Sequence, residues 1–330
     1  MYIVKTPFRV SFFGGGTDFE AYYREHGGSV ISSAINKYCY VTVRYLPPFF
    51  SYRNQLTYSK IERFNHPSEV EHPLVREALR FLPVDNVQIS YDADLPACSG
   101  IGSSSSFAVG LLKGLHAMRN EFPDQMTLAK EAIHVERELC GEAGGVQDQL
   151  AASFGGFHRY YFSHDSFRVE PIGISKESKE YLFGNLMLLF TGFTRFAADV
   201  SENQQNNLPH SLVYLDEMKQ LTDEAETLLN RNDIDGFGRL LGEEWKCKKM
   251  LSHMISNDSI DEIYQRAIKA GALGGKLIGA GSGGFILLYA PQEAQRHIMD
   301  QLSGFQFVRF DADEAGSVFM DSHTKANQLS

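Results

Sequence analysis

Apolar and polar residues alternate most cleanly at 38–45, where Tyr38, Tyr40, Thr42 and Arg44 stand against Cys39, Val41, Val43 and Tyr45. That period of two predicts a strand with one buried face. It pairs in the reading with Val30–Ile35, opened by Gly27-Gly28-Ser29. Upstream, residues 2–13 read as β, split by Pro7, and end in Gly14-Gly15-Gly16-Thr17-Asp18. Residues 46–73 are polar and proline-bearing and predict an exposed excursion with weak structure. A short helix over Pro73–Phe81 follows, then a strand carrying Val87, Ile89 and Tyr91. A helix-period apolar segment runs to Met118, and 127–140 is amphipathic, with Leu128, Ala132, Val135 and Leu139 on one stripe.

The second half begins with a strand near 155–162 and a polar boundary at 165–182. A buried strand at 185–190 and successive helices over about 211–270 come next. A glycine-rich stretch, 271–284, leads into strand Phe285–Tyr289, helix Gln292–Leu302 and a last strand, Phe305–Phe310; the final nine residues read as frayed. The chain is 330 residues long, enough for two domains, placed at 1–170 and 171–330.

Charge and cysteine content narrow the partners. A net charge of −10 excludes general nucleic-acid binding, which needs a basic footprint. No apolar run approaches a membrane span, and no signal peptide is read. Cys39, Cys98, Cys140 and Cys247 show no CxxC or zinc-like spacing, so a reduced, cytoplasmic setting is expected.

Four stretches carry candidate chemistry. In Pro96-Ala97-Cys98-Ser99-Gly100-Ile101-Gly102-Ser103-Ser104-Ser105, glycines and small hydroxyl residues open a helix, whose unpaired N–H groups and dipole favour an anion. Alone, the run reads more readily as a capped turn; it is not a Walker A loop, since no Gly-Lys-Ser/Thr closes it. Gly14–Asp18 alone reads as a strand-ending turn with an Asx cap. Glu136 sits at the margin of an apolar helix face, where burial needs a cation or donors; its bland reading is a solvated partner of Arg137 or Lys130. The 271–284 loop alone means only tight packing.

Together these stretches resemble the GHMP kinase superfamily, which contains galactokinase, homoserine kinase, mevalonate kinase and phosphomevalonate kinase. Pro-x3-Gly-x-Gly-Ser-Ser at 96–104 resembles its nucleotide loop. Gln147-Asp148-Gln149 is close to its Gly-x-x-Asp-Gln signature, with Glu136 twelve positions upstream, and Gly281–Gly284 is similar to its third, phosphate-covering loop. Arg9, Thr17 and Asp18 match the galactokinase pattern, with Gly15-Gly16 replacing its Glu-His. The sugar-1-kinase branch is nearest, through Gly-Gly-Gly-Thr-Asp, Thr191-Gly-Phe-Thr-Arg195 and Gly-Gly-Lys276-Leu-x-Gly-Ala-Gly.

The resemblance implies an α+β GHMP kinase fold, an N-terminal domain like ribosomal protein S5 domain 2 plus a C-terminal ferredoxin-like domain. It implies ATP and Mg²⁺, and a phosphosugar as acceptor, with no nucleic acid and no membrane. Asp148 would be the base and Arg9 its neighbour. Pro96, Gly100, Gly102, Ser103, Ser104, Ser105, Gly281, Ser282 and Gly283 would hold the nucleotide, and Ser104 and Glu136 the metal. Gly15, Gly16, Thr17, Asp18, Gly145, Gln147, Arg195 and Lys276 would bind substrate. The expected acceptor is a heptose phosphorylated at C7; a hexose such as fucose, or a non-catalytic sensor, is the alternative. Lys5, Arg24, Arg159, Arg195 and Lys246 are the cations expected near its phosphate, Arg195 first.

Overall fold

Two sheets faced by helices organise the computed structural model, which describes residues 1–192 and 197–320. β1 (Tyr2–Phe13) runs antiparallel to β2 (Gly28–Tyr45), with helix α1 (Glu20–His26) between them. The expected break at Pro7 is only a register shift between Pro7 and Phe8, because a residue without an N–H forces a skip in the ladder. The two strands expected at 30–35 and 38–44 are likewise one 18-residue strand. Residues 46–73 hold more structure than expected. β3 (Asn54–Thr57) and β4 (Ile61–Phe64) form a hairpin, with Leu56 and Phe64 in the core. Helix α2 (Pro73–Phe81) leads to β5 (Val87–Ala93), which pairs parallel with β3.

α3 (Ser103–Met118) lies on β1 and β2 because two glycines one turn apart permit it. A Cβ on Gly110 would stand 2.8 Å from Thr6 Oγ1, and one on Gly114 2.6 Å from a Val43 methyl. This close approach aims the N-terminus of α3. Next, α4 (Gln125–Ile133), capped by the Asp124 carboxylate on the Thr127 N–H (2.7 Å), passes into a π-helical turn over His134–Leu139. The extra residue per turn rotates the stripe. Val135 and Glu136 turn inward, while Leu139, expected inward, is 39% exposed.

α5 (Gln147–Phe154), β6 (Phe157–Phe162), β7 (Phe167–Pro171) and α6 (Lys176–Gly184) follow. β2 changes partner along its length, pairing β6 over Gly28–Ser33 and β5 over Cys39–Tyr45. The second sheet starts with β8 (Leu186–Phe190). Helices α7 (Ala197–Asn206), α8 (Leu208–Asn230), α9 (Ile234–Met250) and α10 (Asp258–Lys269) come before β9 (Gly274–Leu277). β10 (Phe285–Tyr289), α11 (Gln292–Gln301) and β11 (Gln306–Val308) complete it. Its order, β11-β8-β10-β9, places its strands fourth, first, third and second, a ferredoxin-like arrangement. β8 and β10 are continuous apolar runs in its middle. β12 (Val318–Phe319) then returns to the free edge of β1, giving the first sheet the order β12-β1-β2-β5-β3-β4. Among the described residues no helix is long and apolar enough to cross a membrane.

Candidate active site

A cavity of about 540 Å³ is lined from both halves, by β1, the loop after it, both glycine-rich loops, α5 and α9. Arg9 on β1 holds Asp148 in the first turn of α5 through two parallel bonds, Nε to Oδ1 at 2.7 Å and Nη2 to Oδ2 at 2.8 Å. Its Nη1 donates to the Gly100 carbonyl at 2.6 Å, which ties the acid to the Gly/Ser loop. Asp148 also abuts the start of α3, since a Cβ on Gly102 would lie 3.3 Å from Oδ2. Gly102 takes φ +76 and α3 has no side-chain cap, so its first N–H groups stay free at the cavity, beside Ser103, Ser104 and Ser105.

Asp18 is the second acid. It accepts from the Gly16 N–H (2.9 Å), the Gln147 N–H (3.2 Å) and Gln147 Nε2 (3.1 Å). Burial pushes its carboxyl above the usual range; the Gly16 N–H opposes this, and the charge of Asp148 adds to it. Gly145 is required behind it, because a Cβ there would strike the Asp18 carboxylate. A Cβ on Gly15 would make ordinary contact with Ser11 Oγ and Gln147 Nε2, both at 3.9 Å, whereas Gly16, at φ +101, packs on Leu215 and Leu251. Thr17 does not line the cavity. Its hydroxyl donates to the Gly14 carbonyl at 2.7 Å, which shapes the loop.

Glu136 is 1% exposed and bonds only neutral donors, Ser104 Oγ at 2.9 Å and Gln149 Nε2 at 2.6 Å. Its negative charge has no cationic partner among the described residues, and neither Arg137 nor Lys130 meets it. Glu142 adds a second carboxylate, raised by burial and then by Glu136. No group of three or more His, Cys, Asp or Glu among the described residues could hold a metal by itself.

Several residues assigned from the resemblance lie in internal contacts or outside the cavity lining. Lys276 reaches the cavity wall but is 1% exposed, with Nζ on Glu244 Oε1 (3.0 Å) and the Phe12 carbonyl (2.7 Å). Its charge is already neutralised inside the protein. Gly281, Ser282 and Gly283 do not line the cavity, whereas Gly279 and Ala280 do. Ser282 is bonded to Met254 and Ile255, which draws that end of the loop onto the connection after α9. Pro96 is exposed and outside the lining; its carbonyl accepts from Ser99 Oγ. Arg195 lies outside the described residues. Of the other cations, Lys5 stacks on Tyr38, Arg24 pairs with Glu20 and Lys246 with Glu243. Arg159 is bound by Ser29, Asp223 and Glu226. None of these four lines the cavity.

Residues the sequence reading missed complete the wall. Tyr58, His72, Tyr91 and Phe107 form an aromatic lobe, with Tyr91 and Phe107 centroids 4.7 Å apart and His72 5.5 Å from Phe107. Burial lowers the His72 pKa. Ser11 Oγ and Gln147 Oε1 are buried at the other end without partners. Lys248 of α9 joins them there. An apolar aromatic pocket, a free helix N-terminus and an acid-lined polar end together suit a base, its phosphates and a hydroxylated acceptor.

Residues 70–156 match the GHMP kinases N-terminal domain and residues 225–307 the GHMP kinases C-terminal domain, together half of the chain. The chain belongs to the GHMP kinases. Among curated relatives, this GHMP kinase is 29% identical over 313 residues to D-glycero-alpha-D-manno-heptose 7-phosphate kinase of Campylobacter jejuni, covering 90% of this chain and 92% of the relative. It is 27% identical over 315 residues to the bifunctional fucokinase/GDP-fucose pyrophosphorylase of Arabidopsis thaliana, covering 87% of this chain and 30% of that protein. Its fold superposes on the crystal structure of a D-glycero-D-manno-heptose 1-phosphate kinase from Bacteroides thetaiotaomicron with a TM-score of 0.80. The identity there is 24%, covering 98% of this chain and all of the other. The GHMP kinase fold expected from the motifs is therefore the one observed, and the chain is a phosphotransferase with an alcohol acceptor.

Proposed function

We propose that this kinase transfers the γ-phosphoryl group of ATP to the anomeric hydroxyl of D-glycero-D-manno-heptose 7-phosphate, giving the 1,7-bisphosphate. The observation that carries the reading is the adjacency of Asp148 and the start of α3. A carboxylate fixed by Arg9 and a free helix N-terminus bracket one space. Asp148 accepts the proton of the anomeric hydroxyl while that oxygen bonds to the γ-phosphorus. The bond from phosphorus to the β,γ-bridging oxygen breaks, and ADP leaves. Such transfer depends on positioning and charge neutralisation more than on covalent chemistry.

The N–H groups of Ser103–Ser105 cradle phosphate oxygens, and the aromatic lobe takes the base. Asp18, with Ser11 and Gln147, orients sugar hydroxyls, and the absence of a side chain at Gly15 keeps the unpartnered Ser11 and Gln147 atoms accessible to them. Ser104 and Glu136 fit a magnesium ion, because the buried Glu136 carboxylate lacks a counter-charge. Held there, such an ion would supply charge neutralisation for the phosphates. Four free cysteines suit a reducing compartment, and the reaction is placed in the cytoplasm.

The test pairs a phosphosugar panel, read by phosphorus NMR, with Asp148→Asn. The expected outcome is turnover on the heptose 7-phosphate that falls by about 10²-fold or more in the variant, with the affinity for a non-hydrolysable ATP analogue unchanged. Equal wild-type turnover on fucose would refute the acceptor. Near-normal turnover of the variant would refute the base.

A further inference from the structure

α9 carries two buried charges one turn apart, Glu244 and Lys248, and their surroundings differ. Glu244 is held by Lys276 and by the Gly14 N–H. Lys248 is 5% exposed, and its Nζ donates to two backbone carbonyls, Leu277 at 2.8 Å and Gly279 at 2.6 Å. It has no carboxylate partner among the described residues. An ammonium has three N–H donors, so two are placed and one remains.

The charged groups facing this amine are Glu244 on its own helix, Lys276 on β9, Arg9 on β1 and Asp18 in the loop after β1. Burial and then the charge of Lys276 press Lys248 well below the usual lysine range, against the pull of Glu244. A cation so placed is unfavourable until an anion arrives. The remaining described cations of the cavity wall are engaged elsewhere. Arg9 is on Asp148 and Lys276 on Glu244, while Arg137 uses three donors on the Glu142 and Gly145 carbonyls to hold their loop.

Lys248 also stands where an anion is due. It lines the cavity together with Gly16, Asp18 and Leu251 on the acceptor side, and its two carbonyl partners lead into the phosphate-side loop. We propose that Lys248 is a substrate-phosphate ligand, donating its remaining N–H to a phosphate oxygen. The inference rests on the reading of the cavity as a phosphoryl-transfer site. The phosphate has two possible sources, the acceptor's own ester or the γ-phosphoryl group of ATP.

The test compares wild type with Lys248→Met and with Lys248→Gln, which keeps N–H donors for the two carbonyls without the charge. Steady-state kinetics on the heptose 7-phosphate and on the unphosphorylated heptose separate the sources. Loss of one charge-assisted bond should raise KM by about tenfold to a hundredfold. A rise confined to the phosphosugar assigns the acceptor's ester. A rise in the KM for ATP with both acceptors assigns the γ-phosphoryl group. Kinetics unchanged in both variants would overturn the proposal, as would losses matched by a fall in melting temperature in Lys248→Met and absent from Lys248→Gln.

Calorimetric titration with sodium pyrophosphate gives a readout independent of turnover. Wild type should bind pyrophosphate about tenfold to a hundredfold more tightly than either variant. If wild type phosphorylates no sugar, the proposed function fails, and this titration alone decides Lys248. Equal affinity in wild type and both variants would then overturn it.

Discussion

Lys276→Met tests whether the lysine of the Gly-Gly-Lys-Leu motif is structural. Nζ is 3.0 Å from Glu244 Oε1, and the two side chains are 1% and 0% exposed. Removing one member of such a pair strands the other, at a cost of about 3–5 kcal/mol. Glu244 would keep one N–H, from Gly14, because its Oε2 has no partner. Burial already holds its carboxyl above the ordinary value. Without Lys276 the folded state binds that proton still more tightly than the unfolded chain does. The loss should therefore be smallest at low pH and grow as pH rises from ~5 to ~8.

The assay is urea unfolding followed by Trp245, the chain's one tryptophan, which neighbours Glu244 in sequence and is itself buried. With a slope of roughly 3 kcal/mol/M the midpoint should fall by about 1–2 M. Lys276→Met with Glu244→Leu should recover most of the loss, as paired removals commonly do. A single variant of wild-type stability with a tenfold higher KM for ATP would refute this reasoning and restore Lys276 as a phosphate ligand.

Two further variants address the acids. Glu136→Gln keeps the shape that Ser104 and Gln149 grip but removes the charge. Stability should hold or rise while the Mg²⁺ needed for half-maximal activity increases at least about tenfold; an unchanged requirement would make Glu136 structural. Asp18 is held above its usual range, so its ionisation subtracts from stability as pH rises through that range. Asp18→Asn should therefore melt higher than wild type at pH ~8, by a margin that shrinks towards pH ~4, while the acceptor KM rises. A variant less stable at both pH values would show that the bonds from Gly16 and Gln147 outweigh the buried charge.

The glycine-bearing loops were readable because their conformations demand glycine locally. Gly16, Gly100 and Gly102 take φ of +101°, +82° and +76°. Arg9 and Asp148 meet across 139 positions, and the reading joined them through the family pattern, since no local rule connects a strand to a distant helix. The same limit hid the aromatic lobe, whose four rings come from separate segments. The cations were misjudged for a geometric reason. Lys246 and Lys248 lie about 200° apart around α9, so one pairs with Glu243 in solvent while the other is buried. Glu244 and Lys248, at helical spacing on a face otherwise carried by Leu241, Trp245 and Leu251, were the available signal. The π-turn at 134–139 left none, because an inserted residue alters phase without altering composition.

The return of β12 to β1 bears on how the chain is made. Val318 pairs with Lys5 and Phe319 with Val4, Ser317 meets Thr6 at 2.9 Å, and Asp313 accepts from Tyr38 at 2.7 Å. A strand is thus closed by the last described one, about 300 residues after it in the chain. At roughly 5–20 residues per second, the edge of β1 stays open for about 15–60 s of synthesis. Through that interval it is a template for pairing with another nascent chain.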